Sequence, residues 1–191
     1  MEYSITIDDV FAAAGRLDGI VKRTPVVSAE EIDKVAGRQV LMKCENLQHI
    51  GAFKFRGATN AVIMLGDDAE SGVCTHSSGN HAQALSMAAK NRGVDAYIVM
   101  PRTAPKVKVL GVNNQGAEIT FCEPTLEARE ATAGDIMDRT GAALVHPYDN
   151  PNVIAGQGTA ALEFFLQAGE LDAIVSPVGG GGLMSGTSIT T

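Results

Sequence analysis

From about residue 38 onward, short runs rich in β-branched and aromatic residues alternate with longer stretches whose apolar residues recur three and four positions apart. The first kind reads as strand and the second as helix. VLMKC at 40–44 precedes a helical pattern near 54–65, GVCTH at 72–76 one near 80–92, and DAYIVM at 95–100 one near 104–114. AEITFC at 117–122 leads to a helix near 125–140, AALVH at 142–146 to one near 152–168, and LDAIVSPV at 171–178 to a short last one. Glycines at 37, 66, 93, 116, 141 and 169 fall just past helical segments, where a left-handed residue usually ends the helix. The alternation predicts parallel strands joined by crossover helices, an α/β fold of open, mostly parallel twisted sheets with flanking helices. Ahead of it, Ile7 to Leu17 predicts an amphipathic helix, and Ser28-Ala29-Glu30-Glu31 a capping box for a second, short one. There is no internal repeat, low-complexity tract or obvious linker.

The 191 residues, 45% of them apolar, suffice for one sizeable core or two small lobes. A formal charge of −7 with scattered lysines and arginines argues against nucleic acid and for a small-molecule partner. No apolar run is long enough to cross a bilayer, and the start MEYSITIDDV is acidic, so the expectation is a cytoplasmic protein with no membrane partner. Cys44, Cys74 and Cys122 are odd in number and far apart, each inside an apolar stretch. They read as buried thiols in a reducing compartment. His49, His76 and His146 show no metal-ligand spacing, and no metal site is assigned.

In open parallel sheets, ligands sit beyond the carboxyl ends of strands. Three loops there have unusual chemistry: QHIGAFKF, SSGNH and GGGG. Gly179, Gly180, Gly181 and Gly182 follow an apolar run and open a helix, so their N–H groups and the helix terminus can cradle a phosphate. A flexible turn is the plainer alternative. The sequence lacks a Gly-Lys-Ser/Thr for nucleotide phosphates and magnesium, and the glycine spacing is not a dinucleotide fingerprint. Lys54 lies between Phe53 and Phe55 at a helix start, where the helix dipole and desolvation both favour the neutral, nucleophilic amine that attacks an aldehyde. Equally, its stem can lie over the aromatics with the ammonium in water. Ser77, Ser78, Asn80 and His81 surround Gly79 between a strand and a helix. They read either as a capping cluster or as a carboxylate pocket with an amide for a phenolic oxygen. An amine nucleophile, a phosphate cradle and a carboxylate pocket together describe pyridoxal phosphate acting on an amino acid.

Over nearly its whole length the chain resembles the serine racemase and serine/threonine dehydratase branch of the fold-type II pyridoxal-phosphate enzymes, whose fold is tryptophan synthase β-like. The matching blocks are KCENLQ at 43–48, GAFKFRGA at 51–58, THSSGNHAQAL at 75–85, AYIVMPRTAPKVK at 96–108, HPYDNPNVIAGQGT at 146–159 and PVGGGGLMSG at 177–186. The resemblance implies that Lys54 holds the cofactor as a Schiff base and acts as the base at Cα. It places Phe53 beside the pyridine ring, Asn80 on the ring hydroxyl and Gly179 to Gly182 on the phosphate. Ser78 matches the hydroxyl that faces Cα from the opposite side in racemases, where biosynthetic threonine dehydratases commonly have alanine. Ser77, His81 and Arg129 are further, weaker candidates for orienting substrate carboxylates, and Arg129 in TLEAREA also reads as an ordinary helix-surface arginine.

The implied activity is β-elimination from serine, threonine or 3-hydroxyaspartate to a keto acid and ammonia, with racemisation through Lys54 and Ser78 as a second outcome, in a homodimer. Ala52 stands where the family has serine, and His49 and Ile50 where it has a basic residue and threonine. Family members also continue well past the glycine loop, so the residue facing the pyridine nitrogen and the ligands of a divalent cation, magnesium or manganese, would lie beyond residue 191. By the family's layout, 72–147 is a small domain inserted in a large one, of which 1–71 and 148–191 are present. The large-domain sheet should then expose an apolar edge. The competing expectation is a truncated, non-catalytic chain that binds cofactor phosphate or associates with full-length subunits.

Overall fold

The structure, a computed structural model, describes residues 4–191. Helix α1 (Ile7–Leu17) forms as expected, with Val10, Ala13 and Leu17 buried on one face. The Thr6 N–H donates to Asp9 Oδ2 at 2.7 Å and satisfies one of the donors at its start. The next helix, α2 (Glu30–Ala36), begins one residue later than the sequence suggests. Its N-cap is Ala29, which puts the apolar Ile32 at the third helical position, so the box expected at 28–31 cannot close.

Two short strands flank α2: β1 (Val26–Val27) and β2 (Met42–Lys43) pair antiparallel, with Val26 opposite Lys43. The strand expected over 40–44 is therefore two residues long and antiparallel rather than part of the parallel sheet. Helix α3 (Lys54–Met64) is followed by the main layer, built from β3 (Val73–His76), α4 (Asn80–Arg92), β4 (Ala96–Pro101), α5 (Lys106–Asn113), β5 (Glu118–Cys122), α6 (Leu126–Thr140) and β6 (Ala143–Leu144). These strands form one parallel four-stranded sheet in the order β5-β4-β3-β6. Both faces are covered by helices, so β4 reads as a near-continuous apolar run, and Val73, Cys74, Ile98, Val99 and Met100 are fully buried. The chain closes with α7 (Pro151–Ala168) and α8 (Gly182–Thr190). All six glycines expected to end helices have positive φ, from 53° to 82°.

The segment 171–178 does not form the strand its β-branched residues suggest. A strand exists only through a neighbour, and none reaches it here: a cleft of about 460 Å³, lined by Leu41, Phe53, Phe164, Ile174 and Leu183 among others, separates it from β2. Val175 and Val178 are left 92% and 66% exposed, an apolar edge without a ladder.

Helices α3, α7 and α8 pack backbone to backbone through glycines. A Cβ on Gly156 of α7 would lie 2.7 Å from both the Arg56 carbonyl oxygen and Gly57 Cα of α3. On the other flank, a Cβ on Gly186 of α8 would lie 2.5 Å from the Ile154 carbonyl oxygen of α7. Buried Asn60 ties α3 to α1 and α7, accepting from Arg16 Nε at 2.8 Å and donating to the Asn152 carbonyl at 2.7 Å. A second tie is ionic. The guanidinium of Arg56, 1% exposed, is held by Glu45 at 2.8 Å and Glu163 at 3.2 Å, and Lys43 donates to the same Glu163. Burial works to raise the Glu163 pKa, but the Lys43 hydrogen bond and the Arg56 charge outweigh it and leave the carboxyl below its ordinary value.

Candidate active site

The amine of Lys54 opens α3 and turns toward the segment that follows β6. Its Nζ donates to the Pro147 carbonyl oxygen at 2.6 Å and sits 5.4 Å from the Phe53 ring centroid. Burial lowers its pKa from the usual lysine value, favouring the neutral amine. Only one of the two flanking phenylalanines contributes. Consecutive helical residues face different directions, and Phe55 points into the core, fully buried, with its ring edge-on to His49 at 4.9 Å.

The glycine bend meets the same segment one residue further on. A Cβ on Gly180 would lie 2.2 Å from the Tyr148 ring, and one on Gly182 would lie 2.9 Å from the Tyr148 carbonyl oxygen. Gly181, at φ 89°, is the N-cap of α8. Lys54 and the bend thus contact adjacent residues, Pro147 and Tyr148, on one side of the molecule.

The SSGNH loop lies between β3 and α4. The N-cap of α4 is Gly79, which has no side chain to accept from the first-turn N–H groups. Ser77 Oγ instead accepts from the Gly79 N–H at 3.3 Å. The serines therefore do not cap α4, and its first-turn N–H groups remain free to donate to something else. Ser77 and Ser78 are half-buried and Asn80 is exposed. His81 differs from its neighbours: it is 2% exposed, and its Nε2 lies 3.1 Å from the Val145 carbonyl oxygen. Burial pushes its pKa down to about 3, so the ring is neutral. With Nε2 donating, the buried Nδ1 has no partner. From this position His81 braces the segment after β6 rather than presenting its ring to the surface. Arg129 lies in the first turn of α6, where its Nε donates to the Thr125 carbonyl of its own helix at 3.2 Å. It bonds to no other candidate residue.

Sequence reasoning gave no site role to the segment His146-Pro147-Tyr148, on which these parts converge. The signal was available, because 146–150 leaves the carboxyl end of β6 and carries the turn residues Pro, Asp and Asn, as a ligand-side loop should. His146 stacks edge-on between His76 at 5.5 Å and Tyr148 at 4.6 Å, and its Nδ1 accepts from the Asp149 N–H at 2.9 Å. Burial first, and the neighbouring His76 second, lower its pKa. Among the described residues no three His, Cys, Asp or Glu side chains converge as metal ligands, and no helix is long and apolar enough to cross a membrane.

Residues 17–191 match the family model described as pyridoxal-phosphate dependent enzyme. The chain is 49% identical over 188 residues to a serine racemase of Dictyostelium discoideum, covering 98% of this chain and 58% of that protein. It is 50% identical over 189 residues to a beta-hydroxyaspartate dehydratase of Paracoccus denitrificans, covering 98% and 60%. The solved structure of maize serine racemase superposes with a TM-score of 0.97 at 43% identity, covering 98% of this chain and 57% of that one. The chain therefore spans somewhat less than two thirds of these relatives.

Proposed function

The chain belongs to the pyridoxal-phosphate dependent enzyme family, and from that premise we propose that it serves β-elimination from a hydroxyamino acid such as serine, threonine or 3-hydroxyaspartate. The products are a keto acid and ammonia, and racemisation at Cα is a second outcome of the same site. One observation carries this reading. The half-buried amine of Lys54 and the glycine bend that opens α8 meet on neighbouring residues, Pro147 and Tyr148, which supports one small molecule with an aldehyde at one end and a phosphate at the other as the ligand of both.

The residues present fit that cofactor. At Gly180 and Gly182 any side chain would strike Tyr148, so only bare backbone can form the cradle, and the N-terminus of α8 adds partial positive charge. Gly179 to Gly182 would hold the phosphate, Lys54 the aldehyde carbon, Phe53 one side of the ring and Asn80 its hydroxyl. When bound, pyridoxal phosphate supplies an aldehyde that condenses with amines and a ring that draws electron density from Cα.

The chain's own residues do the rest. Burial lowers the Lys54 pKa and so favours the neutral amine, the form that can take the proton from Cα. The Ser77 hydroxyl and the uncapped N–H groups of α4 receive the substrate carboxylate. The Ser78 hydroxyl, from the other face, returns a proton to Cα and inverts it. If no proton returns, the β-hydroxyl departs. His81 serves by fixing Val145, and Arg129 would have to exchange its Thr125 carbonyl for a substrate carboxylate. In this reading 72–147, which contains the parallel sheet and Ser78, is a small domain, and 1–71 with 148–191 is the part that carries Lys54 and the bend.

The test is to add pyridoxal phosphate, record the visible absorbance band, reduce with borohydride and map the modified peptide. The expected result is a yellow protein with the pyridoxyl group fixed on Lys54. A folded chain that stays colourless and unmodified would overturn the reading.

A further inference from the structure

The segment 179–182 is four glycines, the sequence with the largest entropy to lose on ordering. The segment leading into it, 171–178, joins no strand ladder, and Gly179 and Gly180 are exposed. A loop of that kind holds one shape only if something outside it imposes the shape. The contacts on Gly180 and Gly182 both come from one residue, Tyr148: its ring lies against the α-carbon of Gly180, and its carbonyl and α-carbon lie against Gly182. The ring is itself fixed edge-on by His146 at 4.6 Å, and His146 is fixed by the Asp149 N–H and by the His76 ring. An unbroken file of rings, His76 to His146 to Tyr148, thus runs from the end of β3 to the bend.

We propose that Tyr148 is a positioning residue for the phosphate cradle, its ring acting as the template on which the four glycines take the shape that offers their N–H groups to a phosphate. The proposal rests on the cofactor reading given above and deepens it. Tyr148 supplies no hydrogen bond to the phosphate. It removes conformations of the empty loop, so the ordering entropy is spent on folding rather than on binding. The hydroxyl is not needed for this role, so phenylalanine should replace tyrosine and alanine should not. Because Tyr148 is 40% exposed, the alanine variant leaves the core intact.

Two measurements test it. Hydrogen exchange on the cofactor-free chain reads the bend directly: amides of 179–185 should exchange faster in Tyr148→Ala and at the parental rate in Tyr148→Phe. Titration by visible absorbance, with pyridoxal phosphate and with pyridoxal, reads the consequence. Tyr148→Ala should weaken pyridoxal phosphate binding by about tenfold while changing pyridoxal, which has no phosphate, by less than about twofold, as expected when preorganisation of a single subsite is lost. Unchanged exchange in Tyr148→Ala, or equal weakening of both aldehydes, would overturn the proposal. Faster exchange in a chain that takes up neither aldehyde would instead sink the cofactor reading and leave the templating of the bend standing.

Discussion

Lys54 Nζ lies 2.6 Å from the carbonyl oxygen of Pro147, the residue immediately before the tyrosine that rests on Gly180. This contact holds the amine at the site but does not offset the loss of water around it, since burial lowers the Lys54 pKa from 10.5. Below pH 10.5 the unfolded chain therefore binds the Lys54 proton more readily than the folded chain does, and stability falls as pH falls from that value. Lys54→Met should raise the urea midpoint of the cofactor-free protein at pH 7, with the gain shrinking toward pH 10.5. A midpoint lowered equally at both pH values would show that the bond to Pro147 outweighs desolvation.

Small residues in helices divide into two kinds here, and alanine separates them. At Gly186 a Cβ would meet the Ile154 carbonyl oxygen at 2.5 Å and Gly158 N at 2.6 Å, both backbone atoms that cannot turn aside. Gly186→Ala should lose about 2–3 kcal/mol, as overpacking of a tight interior does. Gly134 in α6 has nothing within 4 Å, and Gly134→Ala should gain about 0.5–1 kcal/mol from helix propensity alone. Denaturant unfolding of the two variants measures both signs.

For His81, neutral in the fold with a pKa near 3 against 6.5 when unfolded, the linkage runs with the acid side. Between those values the unfolded chain carries the extra proton, so stability drops as pH falls below 6.5 by up to about 1.4 kcal/mol per pH unit. His81→Gln, which can keep a donor on the Val145 carbonyl, should flatten the dependence between pH 6.5 and 4.5 by that slope. Comparing urea midpoints across that interval decides the matter, and an unchanged slope would mean that other groups carry it.

Ser78→Ala separates the two outcomes proposed for the site. Exchange between L- and D-serine should fall by about a hundredfold, a common contribution of one proton-transfer group, while elimination from the L-isomer survives within about threefold. Parallel loss of both rates would remove Ser78 from its assigned face.

Much of this arrangement was legible in the residues, and the exceptions share a cause. The helices and their glycine stops are local matters of periodicity and backbone freedom, so α1, α4 and α7 fall where the pattern puts them. Pairing is not local. Residues 40–44 and 171–178 have strand-like side chains, yet one forms two antiparallel rungs and the other forms none, because the identity of a neighbour is not written in either segment. The same limit hid Tyr148, which has no chemistry of its own in HPYDNPN and gains its role from Gly180, some thirty residues later in sequence. Nothing in the sequence marks Gly57, Gly156 and Gly186 as points of close approach. Only the crossing of α3, α7 and α8 makes them seams.

Those seams have a mechanical meaning. Where main chain lies on main chain there are no rotamers to absorb a displacement, so α3, α7 and α8 must shift together as a single rigid spine. In the proposed reading Lys54 opens α3 and the glycine bend leads into α8, so the spine would fix the roots of both the amine and the phosphate cradle.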